Sequence, residues 1–304
     1  MKKPLLIVVV GPTAIGKTSL AIAIATAFKT EIISADSRQF YSEMNIGTAV
    51  PSAVELASVP HHFIQNKSIF QPYSVGDFEV EALQKLDELF NLHQVVMMVG
   101  GSGLYVDAVV YGLDSFPGIP AEVRTQLNTE FKSHGIEPLQ DELKQVDPIY
   151  YAKVDVQNAH RLIRALEVYR GTGKPYSSFL KKNNKNRNFN VMYLGLTAER
   201  TTIYDRINKR VDEMMTSGLV HEAKDLYPNK EINALQTVGY QEMFQFFDGK
   251  LTLEQAIEEI KKNTRRFAKR QLTWFRKNER IHWFDYLESY ENIISFIKEK
   301  KPYK

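Results

Sequence analysis

Leu5-Leu-Ile-Val-Val-Val10, followed by Gly11-Pro-Thr-Ala-Ile-Gly-Lys-Thr18, is the stretch that decides the fold class of this chain. The unbroken apolar run predicts a buried parallel strand, and the eight residues after it match G-x-x-x-x-G-K-[ST], the phosphate-binding P-loop. Such a loop closes backbone N–H groups around phosphate oxygens, and Lys17 would neutralise their charge. The hydroxyl of Thr18 is the expected Mg²⁺ ligand. The stretch predicts a phosphate site and leaves open which phosphates it holds.

Working outward, the pattern predicts an α/β protein with a parallel sheet flanked by helices. Four more apolar runs indicate strands, at residues 31–35, 95–99, 191–196 and 281–284. Residues 40–71 have little periodicity and predict loops and short helices over the site. From residue 115 to about 188 the pattern is helical without a strand signal, and it ends in a polar linker at 181–188. We therefore expect a core domain of residues 1–115 and 189–304, with a helical insertion domain of residues 116–188.

Composition excludes several classes of protein. With 43% hydrophobic residues among 304, the chain can bury a substantial core, and no apolar run is long enough to span a membrane. The first residues are unlike a signal peptide, so we expect a cytoplasmic protein. The absence of cysteine excludes disulfides, thiolate metal sites and cysteine nucleophiles.

Asp36 is the first aspartate after the P-loop in chain order. It follows the second predicted strand, which places it on the P-loop side of a parallel sheet. A P-loop ATPase commonly has an acid at the end of another strand to hold Mg²⁺, whereas the strand at 95–99 ends in Gly100-Gly-Ser-Gly103. Asp36 is either a turn-stabilising residue or a general base, and a carboxylate suits an acceptor nitrogen that loses its proton late.

Three further patterns have two interpretations each. The glycine turn, residues 100–103, indicates either tight packing or contact with a ligand. Arg206 and Arg210 are four residues apart and lie on one helix face. They form either a solvated basic stripe or a clamp on a leaving phosphate. The pair His61-His62 lacks a partner at ligand spacing, which argues against zinc.

The long C-terminal helix, predicted over residues 252–277, has one apolar and one basic face. Its apolar stripe, which we expect to be core packing, is formed by Leu253, Ile257, Ile260, Phe267 and Trp274. Between Lys261 and Arg280 there are nine basic residues against one acid. Because few acidic partners are available along this helix, a nucleic-acid phosphate backbone is the expected partner of this face.

Seven motifs in a fixed order resemble those of the bacterial tRNA dimethylallyltransferases, also called tRNA isopentenyltransferases. They run over nearly the whole chain: the P-loop 11–18, Asp36-Ser-Arg-Gln39, Pro60-His-His-Phe63, Tyr73-Ser-Val-Gly-Asp-Phe78, Gly100-Gly-Ser-Gly-Leu-Tyr105, Arg161-Leu-Ile-Arg-Ala-Leu-Glu-Val-Tyr169 and Val238-Gly-Tyr240. The resemblance implies transfer of the dimethylallyl group from its diphosphate to N6 of the adenosine 3′-adjacent to the anticodon. The implied partners are the tRNA anticodon stem-loop and dimethylallyl diphosphate with Mg²⁺, and we expect a monomer that does not bind membranes.

The same resemblance implies roles for individual residues. Asp36 would be the base, and Thr13, Lys17, Thr18 and Arg210 would stabilise the departing diphosphate. The P-loop residues that would hold the diphosphate are Gly11, Thr13, Ala14, Ile15, Gly16, Lys17 and Thr18, with Thr18 on the metal. The residues that would grip the tRNA are Asp36, Ser37, Arg38, Gln39, Ser102, Arg124, His160, Arg161, Leu162, Ile163, Arg164, Gln236, Thr237, Val238, Gly239, Tyr240 and Gln241.

The chain departs from the family pattern at a few positions, and other functions remain open. Gln65 stands where many members have an aspartate, and Ser102 replaces a threonine but keeps the hydroxyl. The zinc finger of eukaryotic members is absent, as the lack of cysteine requires. The alternatives are a P-loop small-molecule kinase, an adenylate isopentenyltransferase acting on a free nucleotide, and an RNA-binding ATPase scaffold. The basic C-terminal helix and the insertion argue against the first two, and the missing acid beside Gly100 argues against the third.

Overall fold

A computed structural model describes residues 3–180 and 186–300, and in it one parallel sheet organises the core. Its strand order is β3-β2-β4-β1-β5-β6. The strands are β1 (Leu5–Val10), β2 (Ile32–Ser34), β3 (His61–His62), β4 (Val95–Val99), β5 (Asn190–Thr197) and β6 (Ile281–Asp285). The predicted parallel α/β fold is confirmed. The edge strand β3 was not predicted, because two paired residues give no periodic signal.

Strand β1 lies at the centre of the sheet and is buried on both faces. Leu5, Ile7 and Val9 belong to the hydrophobic cluster on one face, and the alternate residues of β1 belong to the cluster on the other. This alternation explains why the strand is continuously apolar, since helices cover both sides of a parallel sheet.

The connections out of the sheet diverge beside β1. The chain leaves β1 toward β2 on one side, whereas it leaves β4 toward β5 on the other. Ligands of open α/β sheets bind where such connections part, beyond the carboxyl ends of the strands. Both the P-loop after β1 and the glycine turn after β4 are at that position.

Helices account for most of the remaining described chain. They are α1 (Lys17–Phe28), α2 (Ala53–Ser58), α3 (Val75–Leu92), α4 (Gly103–Tyr111), α5 (Ala121–His134), α6 (Glu137–Val146), α7 (Pro148–Tyr151), α8 (Ala159–Thr172), α9 (Arg200–Thr216), α10 (Leu219–Leu226), α11 (Tyr240–Phe247), α12 (Leu253–Phe275) and α13 (Tyr290–Lys300). Among the described residues, no helix has the length and apolarity needed to cross a bilayer.

The apolar stripe predicted along α12 is partly wrong. Ile260 is buried, but Phe267 and Trp274 are 38% and 40% exposed. The residues that α12 buries are Ala256, Ile260, Ala268, Gln271 and Phe275. The buried face therefore includes a glutamine in its second half, and two aromatic rings are left for the surface of the cavities described below.

The chain forms two compact units. One contains Met1–Tyr111 and Asn186–Lys304, and the other contains Gly112–Lys185. The second unit is helical where it is described, and α5, α6 and α8 enclose its core around Leu127, Leu143 and Leu166. Residues 181–185 of the predicted linker lie outside the described residues.

Candidate active site

Two cavities meet at the carboxyl edge of the sheet in the first unit. The P-loop cavity, about 530 Å³, is lined by residues 13–19 of the P-loop and α1 and by residues 45–52. The glycine-turn cavity, about 550 Å³, is lined by residues 101–105, by most of 236–241 and by α12. The residues that line both cavities, which we call the waist, are Thr13, Asp36, Thr48, Ala49, Arg210, Met214, Phe267 and Gln271. The waist joins the phosphate loop to a second binding space.

Asp36 reaches the waist because of the strand order. Strand β4 separates β2 from β1, so the glycine turn lies between Asp36 and the P-loop. A Cβ atom added at Gly100 would lie 2.4 Å from the carbonyl oxygen of Ala35, the residue before Asp36. Because Gly100 has no side chain, the glycine turn can pack closely against Ala35. This close packing keeps Asp36 beside the P-loop.

The carboxylate of Asp36 is held by its own turn. Its Oδ1 accepts a hydrogen bond from the Arg38 N–H at 3.3 Å, and the Arg38 guanidinium donates to the carbonyl oxygen of Ala234 at 2.9 Å. Burial raises the pKa of Asp36 above its ordinary value, while the positive charge of Lys17 and the Arg38 N–H oppose that rise. A carboxylate with a raised pKa is a stronger base than an ordinary aspartate.

Lys17 projects into the P-loop cavity from the first turn of α1. Its ammonium donates a hydrogen bond to the Pro12 carbonyl oxygen at 2.8 Å. Burial lowers the pKa of Lys17 to about 8; the charge of Asp36 opposes the fall and that of Arg210 adds to it. A dianionic or trianionic ligand in this cavity would restore the ordinary pKa by supplying negative charge.

The two arginines of α9 have different surroundings. The Nε–H of Arg206 donates to the Ala14 carbonyl oxygen at 2.7 Å, so this side chain supports the P-loop from outside the cavity. Arg210 lines the waist, and burial, together with the charge of Arg206, lowers its pKa. Of the two sequence interpretations, the clamp position fits Arg210, while Arg206 holds the loop itself.

The glycine-turn cavity gathers several of the residues predicted to grip tRNA. Ser37 and Ser102 are joined, since the Ser37 N–H donates to the Ser102 hydroxyl oxygen at 3.2 Å and the two hydroxyls are 3.1 Å apart. The cavity-lining members of that predicted set are Asp36, Ser37, Arg38, Ser102, Gln236, Thr237, Val238, Gly239 and Gln241. Tyr240 is fully buried and donates its hydroxyl hydrogen to Glu222 at 2.7 Å.

Gln39 and Glu222 fix the loop that forms one wall of both cavities. The Gln39 amide donates to the carbonyl oxygens of Thr48 and Ala49 at 3.2 and 2.9 Å. The Glu222 carboxylate accepts hydrogen bonds from the three successive N–H groups of residues 45–47, at 2.8 to 3.1 Å. The sequence predicted loops over the site at residues 40–71, but it gave no sign of Glu222, because the partners are about 175 residues apart.

The remaining predicted tRNA-gripping residues belong to the second unit. Arg124 and Arg164 each donate to the Glu167 carboxylate at 2.9 Å. Leu162 and Ile163 are buried in the core of that unit, whereas His160 and Arg161 are exposed. The exposed side chains are therefore the ones available to a ligand on this helix.

The histidine pair forms β3 and contacts different partners. His61 lines the P-loop cavity and its Nδ1 lies 2.7 Å from the Val59 carbonyl oxygen, while His62 Nε2 lies 2.6 Å from the Glu31 carboxylate. Among the described residues, no group of three or more His, Asp or Glu side chains is arranged to hold a metal ion by itself.

The fold and the site define a P-loop protein in which the P-loop cavity and the glycine-turn cavity share one carboxylate and one arginine. The chain belongs to the IPP transferase family, whose model matches residues 39–278. The family predicted from the sequence is therefore confirmed.

Named relatives are similar to this chain over almost its full length. The tRNA dimethylallyltransferase of Christiangramia forsetii is 60% identical over 97% of this chain and 98% of its own. The tRNA isopentenylpyrophosphate transferase of Bacillus halodurans has a solved structure that matches with a TM-score of 0.73 at 39% identity, over 98% of this chain and 97% of that one. A eukaryotic dimethylallyltransferase acting on tRNA has the same fold, with a TM-score of 0.80 at 24% identity over 99% of this chain and 81% of that one.

Proposed function

We propose that this protein transfers the dimethylallyl group from dimethylallyl diphosphate to N6 of the adenosine 3′-adjacent to the anticodon in tRNA. The observation that carries this proposal is the waist, where Asp36 and Arg210 line both the P-loop cavity and a second cavity. A transferase needs such a meeting point, since one ligand must leave a phosphate behind while the other offers a nucleophile.

The P-loop cavity would hold the prenyl donor by its diphosphate. Breaking the bond between C1 of the dimethylallyl group and the diphosphate oxygen leaves the bonding electron pair, and thus new negative charge, on that oxygen. Lys17 and Arg210 line the P-loop cavity and would lie beside this oxygen. Fixed positive charges in a water-poor site lower the barrier most where charge develops. The backbone and side chains of residues 11–18 would hold the rest of the diphosphate.

The glycine-turn cavity would receive the adenine after it leaves the stack of the anticodon loop. The N6 nitrogen forms the new bond to C1 and then loses one proton, which Asp36 accepts. Atoms balance in this scheme: tRNA gains the dimethylallyl group and loses one hydrogen from N6, while diphosphate leaves. The raised pKa of Asp36 favours its action as the proton acceptor.

Mg²⁺ fits this site as an ion held mainly by the ligand. Such ions are bound through one or two protein oxygens, water and substrate phosphates. Thr18 lines the P-loop cavity with a hydroxyl, which would supply the protein oxygen that such an ion needs. Bound there, Mg²⁺ would neutralise part of the charge on the diphosphate.

The tRNA backbone would bind the basic surface of α12. Lys269 and Arg270 are exposed and, within the described ranges, neither has an ion-pair partner, whereas Lys262 is paired with Glu259. Exposed His160 and Arg161 of the second unit would add to the contact. We expect the protein to act as a monomer in the cytoplasm, where its tRNA substrate is found.

The test supplies purified protein with dimethylallyl diphosphate, Mg²⁺ and unmodified tRNA, and follows label from the prenyl group. We expect label in tRNA, with no labelled product from free AMP. Label in AMP alone would favour the adenylate isopentenyltransferase. Phosphorylation of a metabolite from ATP without labelled tRNA would favour the kinase, and either result would overturn the proposal.

A further inference from the structure

Gln271 connects the P-loop to the glycine turn from the middle of α12. Its Oε1 accepts a hydrogen bond from the Thr13 N–H at 2.8 Å, and its Nε2 donates to the Gly101 carbonyl oxygen at 3.0 Å. The side chain is only 6% exposed, although it lies in the most basic part of the chain. One buried amide thus joins the loops that follow β1 and β4.

The two partners determine which way the amide points. An N–H of the backbone requires an oxygen opposite it, and a carbonyl oxygen requires a donor. Of the side chains of this size, an amide is the one that offers both an acceptor and a donor at its end without a net charge at neutral pH. A buried polar group that loses its partner is destabilising, so both loops depend on this residue.

The hydrogen bond to Gln271 also removes one backbone N–H of the P-loop, that of Thr13, from the donors available to a ligand. Because the Thr13 N–H is used by Gln271, Thr13 has its hydroxyl left for the diphosphate. A Cβ atom added at Gly101 would lie 2.1 Å from Gln271 Nε2, so the glycine turn leaves room for the amide as well.

We infer that Gln271 is a positioning residue for the transfer reaction, fixing the P-loop against the glycine turn so that Lys17 and Asp36 meet across the waist. The inference rests on the proposed function, since it concerns the efficiency of that reaction. Misplacing reacting groups by about 1 Å can cost roughly 100-fold in rate. Gln271 needs no contact with either substrate to have this effect.

Two variants test whether Gln271 acts through its hydrogen bonds or only by filling the space between the two loops. Gln271→Met has a similar length and no amide, and we expect kcat/KM for dimethylallyl diphosphate, at saturating tRNA, to fall about 10- to 100-fold. Gln271→Glu keeps the acceptor for Thr13 but, when ionised, cannot donate to Gly101 and adds negative charge beside the diphosphate. We expect a larger loss at neutral pH for this variant.

Acidification gives the decisive result with Gln271→Glu. Once protonated, the carboxyl group donates to Gly101 and accepts from Thr13, as the amide does. The charged residues of the waist are Asp36 and Arg210, and Lys17 is also near, since its Nζ lies 3.8 Å from a Cβ atom added at Gly101. Dividing by the wild-type value at each pH corrects for the titration of these groups. Burial at this position should raise the pKa of the introduced carboxyl group, so we expect the ratio of variant to wild-type kcat/KM to rise as the pH falls from 8 to 6.

Gln245→Glu is the matched control, because it makes the same substitution at an exposed position of α11, outside both cavities. Its ratio to wild type should stay constant across the same pH range. Gln271→Met with wild-type kcat/KM, or a flat ratio for Gln271→Glu, would refute the inference while leaving the proposed function intact. Wild-type protein that fails to modify tRNA would instead refute the proposed function. Circular dichroism and thermal melting show whether each variant is folded.

Discussion

The two cavities that meet at the waist are built in different ways. The P-loop cavity takes the P-loop part of its lining from one continuous stretch, residues 13–19. The glycine-turn cavity is assembled from separated segments, including residues 101–105, 236–239 and α12. Because of this difference, the first cavity can be predicted from one sequence motif, whereas the second depends on tertiary structure. We therefore expect variants in the P-loop cavity to affect the prenyl donor and variants in the glycine-turn cavity to affect tRNA. Variants at the waist should affect the chemical step itself.

The largest effect is expected at the waist. Asp36→Asn keeps the shape of the side chain but removes the proton acceptor, so kcat should fall by about 100- to 10,000-fold. The affinity for tRNA, measured by fluorescence anisotropy, should remain within about threefold of wild type, since base contact is only one part of binding. Turnover at the wild-type rate would exclude Asp36 as the base and would show that the waist has no special role in the chemical step.

A smaller effect is expected at the P-loop end. Lys17→Met removes a positive charge where the leaving diphosphate becomes more negative, and we expect kcat/KM for the prenyl donor to fall by about 100- to 1,000-fold. Steady-state kinetics with each substrate varied would measure this. If Lys17→Met weakens tRNA binding to a similar degree, the two cavities do not bind different substrates as proposed.

The pH profile sharpens the comparison further. Lys17 is charged below its pKa of about 8, so kcat/KM for the prenyl donor should decline above that pH, by up to about tenfold per unit. Asp36 has a raised pKa, so its basic form is lost on acidification at a higher pH than for an ordinary aspartate. Lys17→Met should lose the alkaline decline only. An alkaline decline that persists in this variant would assign it to another group.

The smallest effect is expected on the basic surface of α12. Replacing Lys269 and Arg270 together with glutamine should lower the slope of log affinity for tRNA against log salt by roughly 1.4 to 1.8. Lys262→Gln is the control, because Lys262 is already paired with Glu259. A slope equal to that of wild type would make this face of α12 a solvated surface without a role in binding.

The fold could be predicted largely because its signals are local. The continuous apolar runs of β1 and β4 and the motif of residues 11–18 each lie within one short segment. The order of strands also places Asp36 at the P-loop edge once the sheet is known to be parallel. Strand β3 was missed because its pairing with β2, and not its own sequence, defines it.

The rest of the site depends on contacts between distant residues. Phe267 and Trp274 follow the helical period of a core stripe, but the cavities beside α12 leave them partly exposed. Gln271 is one of three amide side chains in the cationic stretch 261–280, and its partners, Thr13 and Gly101, are 258 and 170 residues away in the chain. No periodicity or spacing could have joined these three residues.

Mass spectrometry of an anticodon stem-loop after reaction tests the central claim most directly. Wild-type protein with dimethylallyl diphosphate and Mg²⁺ should add one dimethylallyl group, in place of one hydrogen, to the adenosine 3′-adjacent to the anticodon. Asp36→Asn should leave the same RNA bound but unmodified in the same time. An unchanged RNA mass with the wild-type protein, or modification at wild-type rate by Asp36→Asn, would contradict the account of two cavities that share one base.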